Sequence, residues 1–263
     1  MPFTVSHVAA VLPLHAWSKA RLPLSALMIG SMSPDFPYFV PLAAVRFTVH
    51  NLPGLFWFCL PVGVAAWWLF VRFLERPTLA LIPEPWRAGL PPPTHRISSS
   101  LAVRAAIGVL LGAVTHVVWD AFTHARTPVV EAIPALRRII EPIAGLRLPL
   151  YELLQIASSA LGLAVLVIWV LRLRRPPRAD AHAPAHVPAY VHTLPAVSTR
   201  TRITAAATIV LTSCTMAAGY YAYSAGLRFD SRLFYLLMGG MTGWALAWFA
   251  VAAWLNVRWN ATR

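Results

Sequence analysis

The chain has 263 residues, of which 58% are hydrophobic and only 12% charged. A soluble domain carries about 45–50% apolar and about 25% charged residues. The composition therefore excludes a disordered chain, a coiled coil and an ordinary soluble domain, and it points to an integral membrane protein. The net charge of +13 sets 21 arginines and the single lysine Lys19 against nine acidic residues. The arginines fall mostly between apolar runs, where topology and anionic headgroups account for them. Nucleic acid is not expected as a partner and membrane lipids are. This arginine-, alanine- and proline-rich usage suits a GC-rich bacterial genome.

In chain order, the first 21 residues lack the basic start of a secretory signal, and His and Pro interrupt them. The stretch from Leu22 to Val45 is apolar but holds Asp35 and four prolines, so no spanning helix is expected there. A short, partly buried helix over Leu24 to Met32 is expected to end at Ser33-Pro34-Asp35. Four or five later segments have the length of about 20 apolar residues that a spanning helix needs. They are Leu55 to Leu74, Leu101 to Trp119, Leu153 to Leu171, about Ala205 to Ala225, and about Leu233 to Leu255. Gly108 and Gly112 on the second span and Ser158, Ser159 and Gly162 on the third predict close packing of these two helices. Cys59 and Cys214 fall inside spans and read as small buried hydrophobes rather than a disulfide. Pro176 to Pro195, rich in Pro, Ala and His, reads as a linker between a core of residues 1–175 and a two-helix tail of residues 196–263. The expected fold is all-α: a polytopic membrane bundle of about five spanning helices, with a short N-terminal helical region packed at the membrane face.

Orientation is read from the connecting segments. With the N-terminal 54 residues, the 120–152 loop and the 226–232 turn on one side, that side carries nine basic residues and the other thirteen. The positive-inside rule makes the second side cytoplasmic and the first periplasmic or extracellular.

His116, Asp120 and His124 are spaced four apart at the end of the second span. Residues four apart share one helix face, and imidazole with carboxylate is a common ligand set for zinc and related divalent ions. His7, Asp35 and His50 lie on the same predicted side. Ionisable groups beside apolar spans are costly and usually functional. His15, His95 and the linker histidines His182, His186 and His192 are weaker candidates.

Five blocks occur in order: MPFTVSHVAAVLPL, PLSALMIGSMSPDFPYF, VHNLPGLFWFCLPVGV, GAVTHVVWDAFTH and LPLYELLQIASSALG. They resemble a bacterial membrane-protein family known as domain-of-unknown-function family 4184. A more distant likeness runs to inner-membrane metal-dependent hydrolases and to the zinc-dependent phospholipase C and P1 nuclease superfamily. That likeness implies a metal site in which His116 and Asp120 match an H-x-x-x-D pair. His7, Asp35 and His50 match an early His, an Asp and a second His, with His124 a further ligand. No second such pair follows, so one or two ions are expected rather than three, zinc first among them. The implied activity is metal-dependent hydrolysis of a phosphoester or lipid-like substrate, with Asp35 and Asp120 as the catalytic carboxylates. A non-enzymatic scaffold with a structural cluster and a transporter component stay open as alternatives.

Overall fold

A computed structural model describes residues 4–39, 48–173 and 194–261. Most of the expected linker, with His182, His186 and His192, lies outside these residues. Seven helices dominate: α1 (Val8–Trp17), α2 (Leu24–Met32), α3 (Leu52–Leu81), α4 (Ser99–Thr123), α5 (Leu150–Leu173), α6 (Thr199–Tyr223) and α7 (Phe229–Ala261). Helices α3 to α7 supply five segments long and apolar enough to cross a membrane. The fold is thus all-α and polytopic, and each of the five predicted spans falls on one of these helices, the fourth overrunning the end of α6 at Tyr223. In lipid a helix satisfies its own backbone groups, which is why apolar length alone marks it. Helix α3 contains two π-helical turns, Leu55–Cys59 and Phe70–Leu74. Each is followed within a turn by a proline, Pro61 or Pro77, whose missing N–H breaks the regular ladder.

Contacts divide the chain into two compact units. The first comprises Met1–Pro37, Leu42–Trp68 and Arg96–Arg172; the second comprises Tyr38–Pro41, Leu69–His95 and Leu173–Arg263. In the second unit α6 and α7 form an antiparallel pair. Gly239 and Gly243 lie against the α6 backbone at Met216 and Thr212. Trp248 on α7 donates to Thr78 Oγ1 at 2.8 Å and Asn256 donates to the Phe73 carbonyl at 2.8 Å.

The first unit is organised around α4. Helices α1 and α2 form a hairpin laid along it, with Val8, Val11 and Leu27 buried between them. The contact of α2 with α4 is backbone to backbone. A Cβ added at Gly30 would overlap the main chain of Val109, and one at Gly112 would overlap Leu27 and Ser31. The glycines of the second span therefore receive α2 rather than the third span. Gly162 on α5, the other half of that expected pairing, instead faces the backbone of Ser6. The link from α4 to α5 is polar: Trp119 Nε1 donates to Ser158 Oγ at 3.0 Å.

The hairpin also places the N-terminal basic residues differently from the sequence count. Its turn passes through Lys19 and Ala20, both in the left-handed backbone region at φ 51° and 60°, and His15 Nδ1 meets the Leu22 carbonyl at 2.9 Å. Arg104, near the start of α4, donates to the Arg21 carbonyl at 3.5 Å. Lys19 and Arg21 thus lie at the Ser98 end of α4, opposite the end that carries His116, Asp120 and His124. Neither α1, at ten residues, nor α2, at nine, spans a membrane.

Between α4 and α5 the chain forms a two-stranded antiparallel hairpin, β1 (Ile139–Ile143) and β2 (Leu146–Pro149), turning at Gly145 with φ 83°. The sequence reading had no strand here. Cys59 is buried as expected, whereas Cys214 is exposed on the outer face of α6.

Candidate metal centre

Three segments reach the end of α4. His7 closes the 3-10 turn Thr4–His7 that leads into α1. Asp35 closes the turn Ser33–Asp35 that ends α2, where Pro34 fixes the backbone. His50 precedes Asn51, which caps α3 by accepting from Gly54 N at 2.8 Å. His116, Asp120 and His124 come from α4 itself. His7, Asp35 and His116 are almost wholly buried, at 1%, 2% and 0% exposure, and Asp120 is at 7%.

Four ligand atoms are linked by short His–Asp distances. His116 Nε2 lies 3.2 Å from Asp120 Oδ2 and 3.6 Å from Asp35 Oδ1. His50 Nε2 lies 3.4 Å from Asp35 Oδ1 and 3.7 Å from Asp120 Oδ2. Ligands about 2.0–2.1 Å from one tetrahedral ion sit roughly 3.3–3.4 Å apart, so this spacing matches a shared cation. The other carboxylate oxygen, Asp120 Oδ1, faces His7 Nε2 at 3.5 Å and His124 Nδ1 at 3.4 Å. Asp120 thus turns one oxygen to each half of the cluster. Among the described residues, two triads bring their ligand atoms within 4.8 Å: His7, His116 and Asp120, and Asp35, His50 and His116. His124 stands outside both and touches the cluster through Asp120. His15 and His95 are in neither triad.

Surrounding groups fix which atoms face inward. His116 Nδ1 meets the Ser31 carbonyl at 2.7 Å, so Nδ1 donates there and Nε2 is the nitrogen that faces the carboxylates. Thr4 Oγ1 donates to Asp35 Oδ2 at 2.6 Å, leaving Oδ1 for the cluster. The His7 and His116 rings stack at 3.8 Å, and Trp119 stands edge-on to His7 at 5.2 Å. Burial, and then the adjacent His116 ring, push the His7 pKa down to about 3, against the pull of Asp120 and Asp35, so this imidazole is neutral. His7 Nε2, His116 Nε2, Asp35 Oδ1 and Asp120 Oδ1 have no hydrogen-bond partner. Buried polar atoms rarely stay unpaired, and two of these, His116 Nε2 and Asp35 Oδ1, belong to the four above. The residues fit a divalent cation.

The cluster thus brings together all six residues singled out in the sequence. Thr4, the Ser31 carbonyl and Trp119 were missed. Thr4 could have been read from its place three residues before His7 in a helical turn. The Ser31 carbonyl carries no side-chain signal at all.

A polytopic helical protein with a buried His/Asp cluster is the class that fold and site define. Residues 1–253 match the family described as Domain of unknown function (DUF4184), and the chain belongs to that family. No curated protein and no solved structure matches it.

Proposed function

We propose that the chain is a membrane-embedded, metal-dependent hydrolase of phosphoesters, with zinc as the ion. The supporting observation is the spacing of His50 Nε2, His116 Nε2, Asp35 Oδ1 and Asp120 Oδ2, together with the buried, unpaired state of His116 Nε2 and Asp35 Oδ1 among them. Bound zinc would bring the pKa of a water toward neutrality and polarise a phosphoryl oxygen. The chain's own residues set up the rest. Ser31 holds His116 in the ligating tautomer, and Thr4 aims one oxygen of Asp35 inward. Asp120 presents one oxygen to each triad, which suits it to bridge two ions or to orient a water between them. In the hydrolysis this site would support, water adds to phosphorus, the P–O ester bond breaks and the leaving alkoxide takes a proton. His50 and His124, 22% and 27% exposed, are the most open members and mark the side of entry.

The proposed setting is a bacterial cell membrane with the site on the periplasmic side. With Lys19 and Arg21 counted beside Arg104, two of the nine basic residues change sides, leaving seven against fifteen. The charge asymmetry then favours the same orientation by a wider margin.

Elemental analysis of detergent-purified protein, with turnover on a phosphoester panel, tests the reading. Stoichiometric zinc and turnover that both vanish in His116→Ala are expected. Protein without metal would replace the hydrolase by a scaffold whose cluster is held by His–Asp ion pairs alone.

A further inference from the structure

The two triads are alike in composition, each with two histidines and one aspartate, but the planes of their rings differ. A ring nitrogen offers its lone pair in the plane of the ring, so a ligated ion lies in that plane, about 2.0–2.1 Å from the nitrogen. His7 and His116 are stacked, with centroids 3.8 Å apart and planes only 20° from parallel. Over the roughly 3 Å from ring centre to ion, that tilt closes only about 1 Å of the separation. One ion therefore cannot lie in both planes, and the triad of His7, His116 and Asp120 cannot be filled as a set. The rings of His50 and His116 are inclined at 56° with centroids 5.4 Å apart, so their planes cross. His116 has a single nitrogen to give, because Nδ1 donates to the Ser31 carbonyl. That nitrogen goes with His50 Nε2, Asp35 Oδ1 and Asp120 Oδ2, atoms joined by His–Asp distances of 3.2–3.7 Å.

His7 is then left over, together with the other oxygen of Asp120. No second ligand set forms around them. His124 Nδ1 lies 3.4 Å from Asp120 Oδ1, but among the described residues His7, Asp120 and His124 do not bring their ligand atoms within 4.8 Å of one another. Ligands of one tetrahedral ion sit roughly 3.3–3.4 Å apart. His7 Nε2 and Asp120 Oδ1 are 3.5 Å apart, and both are buried without a hydrogen-bond partner. Buried polar atoms find a partner in protein or in ordered water. A water that donates one hydrogen to each would pair both atoms, beside a carboxylate whose other oxygen belongs to the ligand set. We infer that the cluster holds one ion, bound by Asp35, His50, His116 and Asp120, and that His7 is not a ligand but orients the attacking water against Asp120. This rests on the metal-dependent hydrolase reading above and gives the two triads different tasks.

The test uses the full chain purified in detergent, loaded with zinc and freed of excess metal. Zinc per chain is counted by elemental analysis, affinity is read by competition with a fluorescent chelator, and turnover is followed on p-nitrophenyl phosphate and bis-p-nitrophenyl phosphate. His7→Phe keeps a ring against His116 and removes both nitrogens; His7→Gln is the second variant, with a smaller side chain. One zinc per chain is expected in wild type and in both variants, with affinity kept within about tenfold. The kcat of both variants should fall by about 100-fold or more at unchanged KM. His50→Ala should instead lose more than 100-fold in zinc affinity, beyond the roughly 10–100-fold that an orienting residue costs. Two zincs per wild-type chain, or His7 variants that stay monodisperse without zinc, overturn the single-ion assignment and leave the hydrolase reading standing. Full turnover in zinc-loaded His7→Phe overturns the role of His7. One zinc in wild type and His7→Phe with turnover in neither overturns the hydrolase reading and supports the ligand set. Wild-type protein without zinc overturns both.

Discussion

Asp120 is the residue on which the cluster turns. It takes part in four of the six His–Asp contacts, with His7, His50, His116 and His124. Removing its carboxylate leaves His7 and His124 without a carboxylate between them and His50 and His116 with Asp35 alone, so Asp120→Ala is expected to abolish zinc binding. His116→Ala should do the same, because His116 is the only residue in both triads. Residues that only orient a ligand behave differently, since losing one typically costs about 10–100-fold in metal affinity. Thr4→Val, which removes the donor to Asp35, and His124→Ala are therefore expected to weaken zinc by about 10–100-fold without abolishing it. His95→Ala, on an exposed loop, should have no effect. Competition titration with a fluorescent zinc chelator ranks the variants. Equal affinity in wild type and Asp120→Ala would show that the carboxylate is not a ligand.

At the scale of elements, the position of Asp35 depends on how closely α2 approaches α4. Gly30 and Gly112 make that approach possible, because there is no room for a Cβ against the opposing backbone. Gly30→Ala must push the helices apart, at a cost of about 1–3 kcal/mol. Since Ser31 follows on the same helix and Asp35 in the turn that ends it, the variant should lose zinc affinity as well as thermal stability in detergent. Loss of stability with unchanged affinity would separate the hairpin from the site. The hairpin also makes a topological prediction. The contact of Arg21 with Arg104 brings Ser18 and Ser98 to the same end of α4. Single cysteines there, in a background lacking Cys59 and Cys214, should react with an impermeant maleimide from the same side of the membrane. Reaction from opposite sides would contradict the re-entrant path of α1 and α2.

At the scale of the molecule, the five spans were legible because lipid demands long apolar helices and the sequence supplies them. The α4 stripe of His116, Asp120 and His124 was legible because four-residue spacing is local geometry. Its partners His7, Asp35 and His50 were not given by any periodicity; the charge count put them on the same side and the resemblance ordered them. The packing partner of Gly108 and Gly112 was misread because small residues announce a close approach without naming the helix that makes it. The strands β1 and β2 escaped because Pro142 and Gly145 dominate so short a segment. The division into two units carries the remaining prediction. All six cluster residues lie in the first unit, and α6 and α7 lie in the second with Leu69–His95. A chain ending after Arg175 should therefore insert and bind as much zinc as the full chain. It should also melt several degrees lower, because Phe73 and Thr78 of α3 lose their partners Asn256 and Trp248. Both readouts come from one detergent preparation, by elemental analysis and a thermal ramp. A truncated protein that inserts and stays monodisperse but carries no zinc would mean that the second unit shapes the site, against the self-contained geometry of His7, Asp35, His50, His116 and Asp120.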